Sequence, residues 1–134
     1  MPLTEEKLTK NQQTVLNLLE KSKEPLKAYA ILFNIQKKGI KAPLQVYRAL
    51  DKLIEIGKVH KIESKNSYIA CEHKNCNSST STSFLICKTC GQVSELKQKN
   101  FPAYFAKQSE QVNFKYAKHN LEIYGACKNC KNKN

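Results

Sequence analysis

Apolar residues recur at three-to-four spacing three times in the first half of the chain, and each run stops at a turn signal. Val15, Leu16, Leu18 and Leu19 make the first face, with Thr9 placed to cap the helix and Ser22 to Pro25 breaking it. Leu26, Tyr29, Ala30, Leu32, Phe33 and Ile35 make the second, which Gly39 stops. Pro43 suits the first turn of a third helix, whose face is Val46, Ala49, Leu50, Leu53 and Ile54 and which closes at Gly57. Two short β runs follow, Lys58 to Ile62 and Tyr68 to Ala70, joined by a turn over Glu63 to Ser67. Three short helices and a hairpin predict a winged helix-turn-helix over residues 1–70. The third helix would enter a DNA major groove and the hairpin would flank it. Its outward positions suit such contacts. Arg48 can read a guanine edge, Gln45 an adenine edge, and Lys52 can hold phosphate beside Tyr47.

The pattern then changes. Residues 71–83 read as an irregular linker or hinge, rich in Asn, Ser and Thr. A strand at Phe84 to Ile86 and another around Val93 to Leu96 come next. Asn100 to Gln111 has helical character, with Pro102 in its first turn and Phe101, Tyr104, Phe105 and Gln108 spaced for one face. A long β run from Phe114 to Tyr124 ends at Gly125. Residues 84–134 therefore predict a small α/β domain, and the whole chain an α+β protein. An open edge on so small a sheet invites pairing with a second copy.

Two Cys-x-x-Cys pairs frame that second domain, Cys87 with Cys90 and Cys127 with Cys130. Each pair can sit on a tight knuckle, and four thiolates fill the tetrahedral shell of a structural zinc with no position left for substrate. A disulfide pair, a redox Cys-x-x-Cys and an iron–sulfur site use the same spacing. A lysine-rich chain without a secretory segment, and with six cysteines, fits a reducing cytoplasm and zinc better. No apolar stretch is long enough to span a membrane.

Charge adds a partner. Lys and Arg number 23 against 11 Asp and Glu, a formal net charge of +12 shared by both halves, which attracts polyanions and above all nucleic acid. The chain shows no Gly-rich phosphate loop, no paired carboxylates at catalytic spacing and no Ser/His/Asp set, so an enzyme is not expected. With 134 residues split in two, neither domain is expected to bury a large core, so a metal staple or dimerisation is expected.

Val46 to Leu50, Gly57 to Ser64, Asn66 to Cys71, Phe84 to Gly91 with Val93, and His119-Asn120 with Glu122 and Tyr124 to Cys127 together resemble the ferric uptake regulator superfamily, in particular its zinc-sensing branch. The resemblance covers nearly the whole chain from Leu8 onward. It implies a cytoplasmic, homodimeric, metal-loaded repressor that binds operator DNA and controls zinc uptake genes. Iron-, manganese- and peroxide-sensing regulators on the same fold are the alternative. Tyr47 and Arg48 match recognition-helix contacts, and Cys87, Cys90, Cys127 and Cys130 match structural zinc ligands. A second, regulatory zinc carries over onto His60, Cys71 and Glu95. The histidine that completes it is replaced by the Ser79 to Ser83 stretch, which leaves His73 or Cys76 as the fourth ligand. His119 matches a histidine that serves a further metal site in the iron and peroxide branches. The family's Thr-Pro-x-Arg opening reads Thr9-Lys10-Asn11-Gln12, which either weakens a DNA backbone contact or moves it onto Lys10.

Overall fold

A computed structural model of the chain describes residues 7–22, 24–72 and 81–132. The chain forms two compact units, Met1–Ser78 and Ser79–Asn134.

In the first unit, helix α1 (Lys10–Lys21) starts at Thr9. The Thr9 hydroxyl accepts from the Gln12 N–H at 3.2 Å, and the Gln12 side chain accepts from the Thr9 N–H at 3.0 Å. This reciprocal pair satisfies donors that a helix start leaves open. Helix α2 (Ala28–Ile35) runs into a 3-10 turn over Gln36–Lys38, which Gly39 ends at a left-handed φ of 96°. Helix α3 (Pro43–Glu55) has proline in its first turn, where no intrahelical N–H is needed. The three helices bury Val15, Leu16 and Leu19, then Ala28, Ile31 and Ile35, then Val46, Ala49, Leu50 and Leu53 in one core with Ile40, Val59 and Tyr68. Tyr29 and Phe33 depart from the predicted second face and are exposed. They lie one turn apart on the side of α2 opposite Ala28, Ile31 and Ile35, and an eight-residue helix cannot turn both sides inward.

Strands β1 (Val59–Ile62) and β2 (Ser67–Ala70) pair antiparallel, with Val59 opposite Ala70 and Ile62 opposite Ser67. A 3-10 turn over Glu63–Lys65 and a left-handed Asn66 make the connection. Leu26 adds a rung that its helical spacing hid. Its N–H donates to the Tyr68 carbonyl at 2.9 Å, and the Tyr68 N–H returns the bond at 2.8 Å. The segment between α1 and α2 is thereby tied to the hairpin.

In the second unit, β3 (Thr82–Cys87) is the central strand of the order β4-β3-β5. It runs antiparallel to β4 (Val93–Glu95) and parallel to β5 (Asn120–Gly125), with Ser83 opposite Leu121 and Cys87 opposite Gly125. Helix α4 (Phe101–Glu110) lies in the crossover that a parallel pair requires. Three expectations need correction. β3 begins at Thr82, inside the stretch read as linker. The strand expected from Phe114 is confined to Asn120–Gly125, because the chain must travel from the end of α4, through a left-handed Asn113, before it lies beside β3. Tyr104 and Gln108 are exposed, and α4 turns Phe101 and Phe105 toward His119 instead.

Candidate metal centre

β3 delivers Cys87 to the end of the sheet, and the chain turns back through Gly91 at φ 81°. The Cys87 N–H donates to the Gln92 carbonyl at 2.9 Å, and the Gly91 N–H donates to the Cys87 carbonyl at 3.0 Å. A second tight turn follows β5, where the N–H groups of Cys130 and Lys131 reach the Cys127 carbonyl at 2.9 and 2.8 Å. Parallel pairing puts the ends of β3 and β5 side by side, and the Lys88 N–H fixes them by donating to the Gly125 carbonyl at 2.8 Å. Each strand therefore presents one knuckle to the other.

The four sulfurs of Cys87, Cys90, Cys127 and Cys130 lie within 4.8 Å of one another, with Cys90 and Cys127 at 3.7 Å. Zinc–sulfur bonds of about 2.3 Å in a tetrahedron imply sulfurs roughly 3.8 Å apart, whereas a disulfide needs about 2.05 Å. All four thiols are free. The chain thus carries a four-cysteine zinc-binding cluster, closed to substrate.

Its electrostatics prepare it for a cation. Backbone N–H donors from Cys90 and Cys127, at 3.5 and 3.3 Å, pull the Cys87 thiol down to about 5. The Gln92 backbone also lowers Cys90, but contacts with the Cys87 and Cys127 sulfurs outweigh it and leave that thiol raised. Hydrogen bonding to Cys127, with burial, pushes Cys130 up to about 12. Clustered thiols resist becoming thiolates together until a metal ion compensates their charge.

The other predicted ligands fall on separate elements. His60 is half-buried on β1 opposite Ile69, with its Nε2 buried. Cys71 follows β2, and its N–H donates to the Lys58 carbonyl at 2.8 Å. Antiparallel register and alternation place His60 and Cys71 on one face of the hairpin. The Cys71 sulfur is disulfide-bonded in this structure, unlike the four knuckle thiols. Only a reduced Cys71 can offer a thiolate, the form of cysteine that binds metal. Glu95 belongs to the second unit, on β4 opposite Phe84. His73 and Cys76 lie outside the described residues.

His119 has a structural role that the sequence did not reveal. The Tyr116 hydroxyl meets its Nδ1 at 2.7 Å, and Ser83 Oγ lies 3.4 Å from its Nε2. Its backbone N–H donates to Ser81 Oγ at 3.1 Å, and the rings of Phe101 and Phe105 pack against it. Burial lowers its basicity. Nε2 thereby faces β3, while Nδ1 is held by Tyr116 just ahead of β5. Only the Phe-x-x-x-Phe spacing ahead of it could have hinted at an aromatic seat.

On α3, Tyr47 and Arg48 are exposed opposite the buried stripe of Val46, Ala49, Leu50 and Leu53. Gln45 is otherwise engaged. Its Oε1 accepts from the N–H groups of Lys41 and Ala42 at 2.9 and 3.1 Å, which uses the atom that a bidentate adenine contact requires. Lys52 lies 3.9 Å from Glu55 on the surface, and Lys10 is exposed at the start of α1. Among the described residues, no helix is long and apolar enough to cross a membrane.

Residues 4–124 match the Ferric uptake regulator family. The Zinc uptake regulation protein of Escherichia coli (strain K12) is 34% identical over 125 residues, spanning 92% of this chain and 72% of that protein. A solved zinc uptake regulator complexed with zinc and DNA matches with a TM-score of 0.84 at 31% identity, covering 92% of this chain and 83% of that one. The holo form of XcZur matches with a TM-score of 0.82 at 35% identity, covering 92% and 86%.

Proposed function

The chain belongs to the ferric uptake regulator family, and on that premise we propose that it is a zinc-responsive transcriptional repressor that binds operator DNA as a homodimer and controls zinc uptake genes. The observation that carries this reading is the likeness to zinc uptake regulators along 92% of the chain, one of them solved with zinc and DNA. The protein works by binding and not by bond chemistry.

The four-cysteine cluster holds the structural zinc, whose binding is coupled to folding of the second unit. A regulatory zinc is held by His60, reduced Cys71 and Glu95, with His73 or Cys76 as fourth ligand. Supporting this set, His60 and Cys71 share a hairpin face, and one thiolate among imidazole and carboxylate donors suits zinc better than manganese or iron. Zinc there acts as the signal, by favouring the DNA-binding arrangement of residues 1–70, the hinge 71–83 and the dimerisation domain 84–134. Tyr47 and Arg48 of α3 face base edges, Lys52 and Lys10 hold phosphates, and the cytoplasm is the compartment.

A dimer fits the second unit's surface. Among its described residues only Phe84, Ile86, Cys87 and Cys130 are buried apolar side chains, while Leu85, Tyr104, Val112, Phe114 and Tyr124 are exposed. β5 is also an edge strand.

The test is metal selectivity. An operator selected from random duplexes is titrated with metal-stripped, reduced protein reloaded with zinc, ferrous iron or manganese. Tight binding with zinc alone supports the reading; equal activation by iron or manganese moves the chain to a sibling sensor.

A further inference from the structure

Helix α2 is apolar on both sides. Ala28, Ile31 and Ile35 are buried against the core, while Tyr29 and Phe33 remain 73% and 74% exposed one turn apart. The exposed side carries a shallow depression of about 400 Å³ lined by Tyr29, Ala30, Leu32, Phe33, Asn34 and Gln36. Neither the metal sites nor the proposed DNA contacts use these residues. A contiguous exposed apolar patch rimmed by polar residues is the kind of surface that partners cover, unlike a lone exposed side chain.

The surrounding charge says what fits. Lys27 occupies the N-cap position of α2, Lys37 and Lys38 sit in the turn at its end, Lys41 follows, and all four are exposed. From Pro25 to Leu50 the sequence contains no acidic residue. A second copy of the patch would bring like charges together, so self-association is disfavoured. Bare DNA backbone meets the lysines but offers nothing apolar to cover Phe33 and Leu32. An amphipathic helix with an acidic rim satisfies both features, placing apolar side chains one turn apart over Tyr29 and Phe33 and carboxylates on the lysines.

We propose that the outer face of α2 is a docking surface for an acidic amphipathic helix of a partner protein, through apolar contact at Tyr29 and Phe33 and ion pairing with Lys27, Lys37 and Lys38. This goes beyond the repressor reading and does not depend on it.

The probe is a fluorescein-labelled helical peptide of about 14 residues, with leucines at i, i+4 and i+7 and glutamates on its other faces. Fluorescence anisotropy follows its binding to the zinc-loaded, full-length protein, and a control peptide carries lysine in place of glutamate. The expected result is saturable binding of the acidic peptide only, weakened roughly tenfold by Phe33→Ser and by Tyr29→Ser, with thermal midpoint and operator affinity unchanged. Equal affinity in wild type and both variants, or no saturable binding of the acidic peptide, overturns the proposal. Loss of operator affinity in the variants assigns the face to DNA, and loss of concentration-dependent assembly assigns it to a second copy; either outcome also overturns it.

Discussion

Replacing Cys87 with serine should unfold one unit and spare the other. The substitution removes one of the four metal donors and the sulfur that receives the Cys90 and Cys127 N–H groups. Besides cysteines, the second unit buries only Phe84 and Ile86 among its described apolar residues. Each contributes about 1.5–3 kcal/mol on burial, whereas ordering a backbone costs roughly 1–2 kcal/mol per residue. A four-thiolate zinc contributes about 10–16 kcal/mol. The metal, together with a second copy, therefore decides whether this unit is folded. The first unit has thirteen residues in its own core and includes none of the knuckle cysteines. Hydrogen exchange read by mass spectrometry separates the two. In Cys87→Ser, protection should collapse in β3 and β5 while α1 and α3 keep wild-type protection. Undiminished protection of Thr82–Cys87 and Asn120–Gly125 in the variant would refute the reasoning.

Arg48→Ala should weaken operator binding by about 1–3 kcal/mol while leaving zinc content and thermal midpoint unchanged, since Arg48 is exposed; gel-shift titration and metal analysis check both. Leu53→Ala empties a fully buried core position between the helices, so urea unfolding of the first unit should show a loss of about 2–5 kcal/mol.

Periodicity made the three helices, the hairpin and the knuckles legible, because each rests on local chemistry: a capping threonine, a first-turn proline, glycines at left-handed turns and paired cysteines. What it missed depends on tertiary neighbours. Leu26 reads as helical, yet it closes a bridge to Tyr68 formed only once α1 and the hairpin are in place. Phe114 to Tyr124 reads as one strand, yet pairing waits for β3. Gln45 reads as a base contact by residue type, but its backbone neighbours at Lys41 and Ala42 capture it first. The closeness of the four sulfurs also exceeds what spacing alone could give, since it comes from the parallel register that sets Cys87 beside Gly125.

The most direct test of the account is zinc content per chain, measured together with operator affinity across a chelator titration of reduced protein. The expected result is a tightly held zinc in the knuckles and a second, exchangeable zinc whose removal by mild chelation abolishes tight DNA binding. A single tight zinc, with DNA affinity indifferent to chelation, would contradict it.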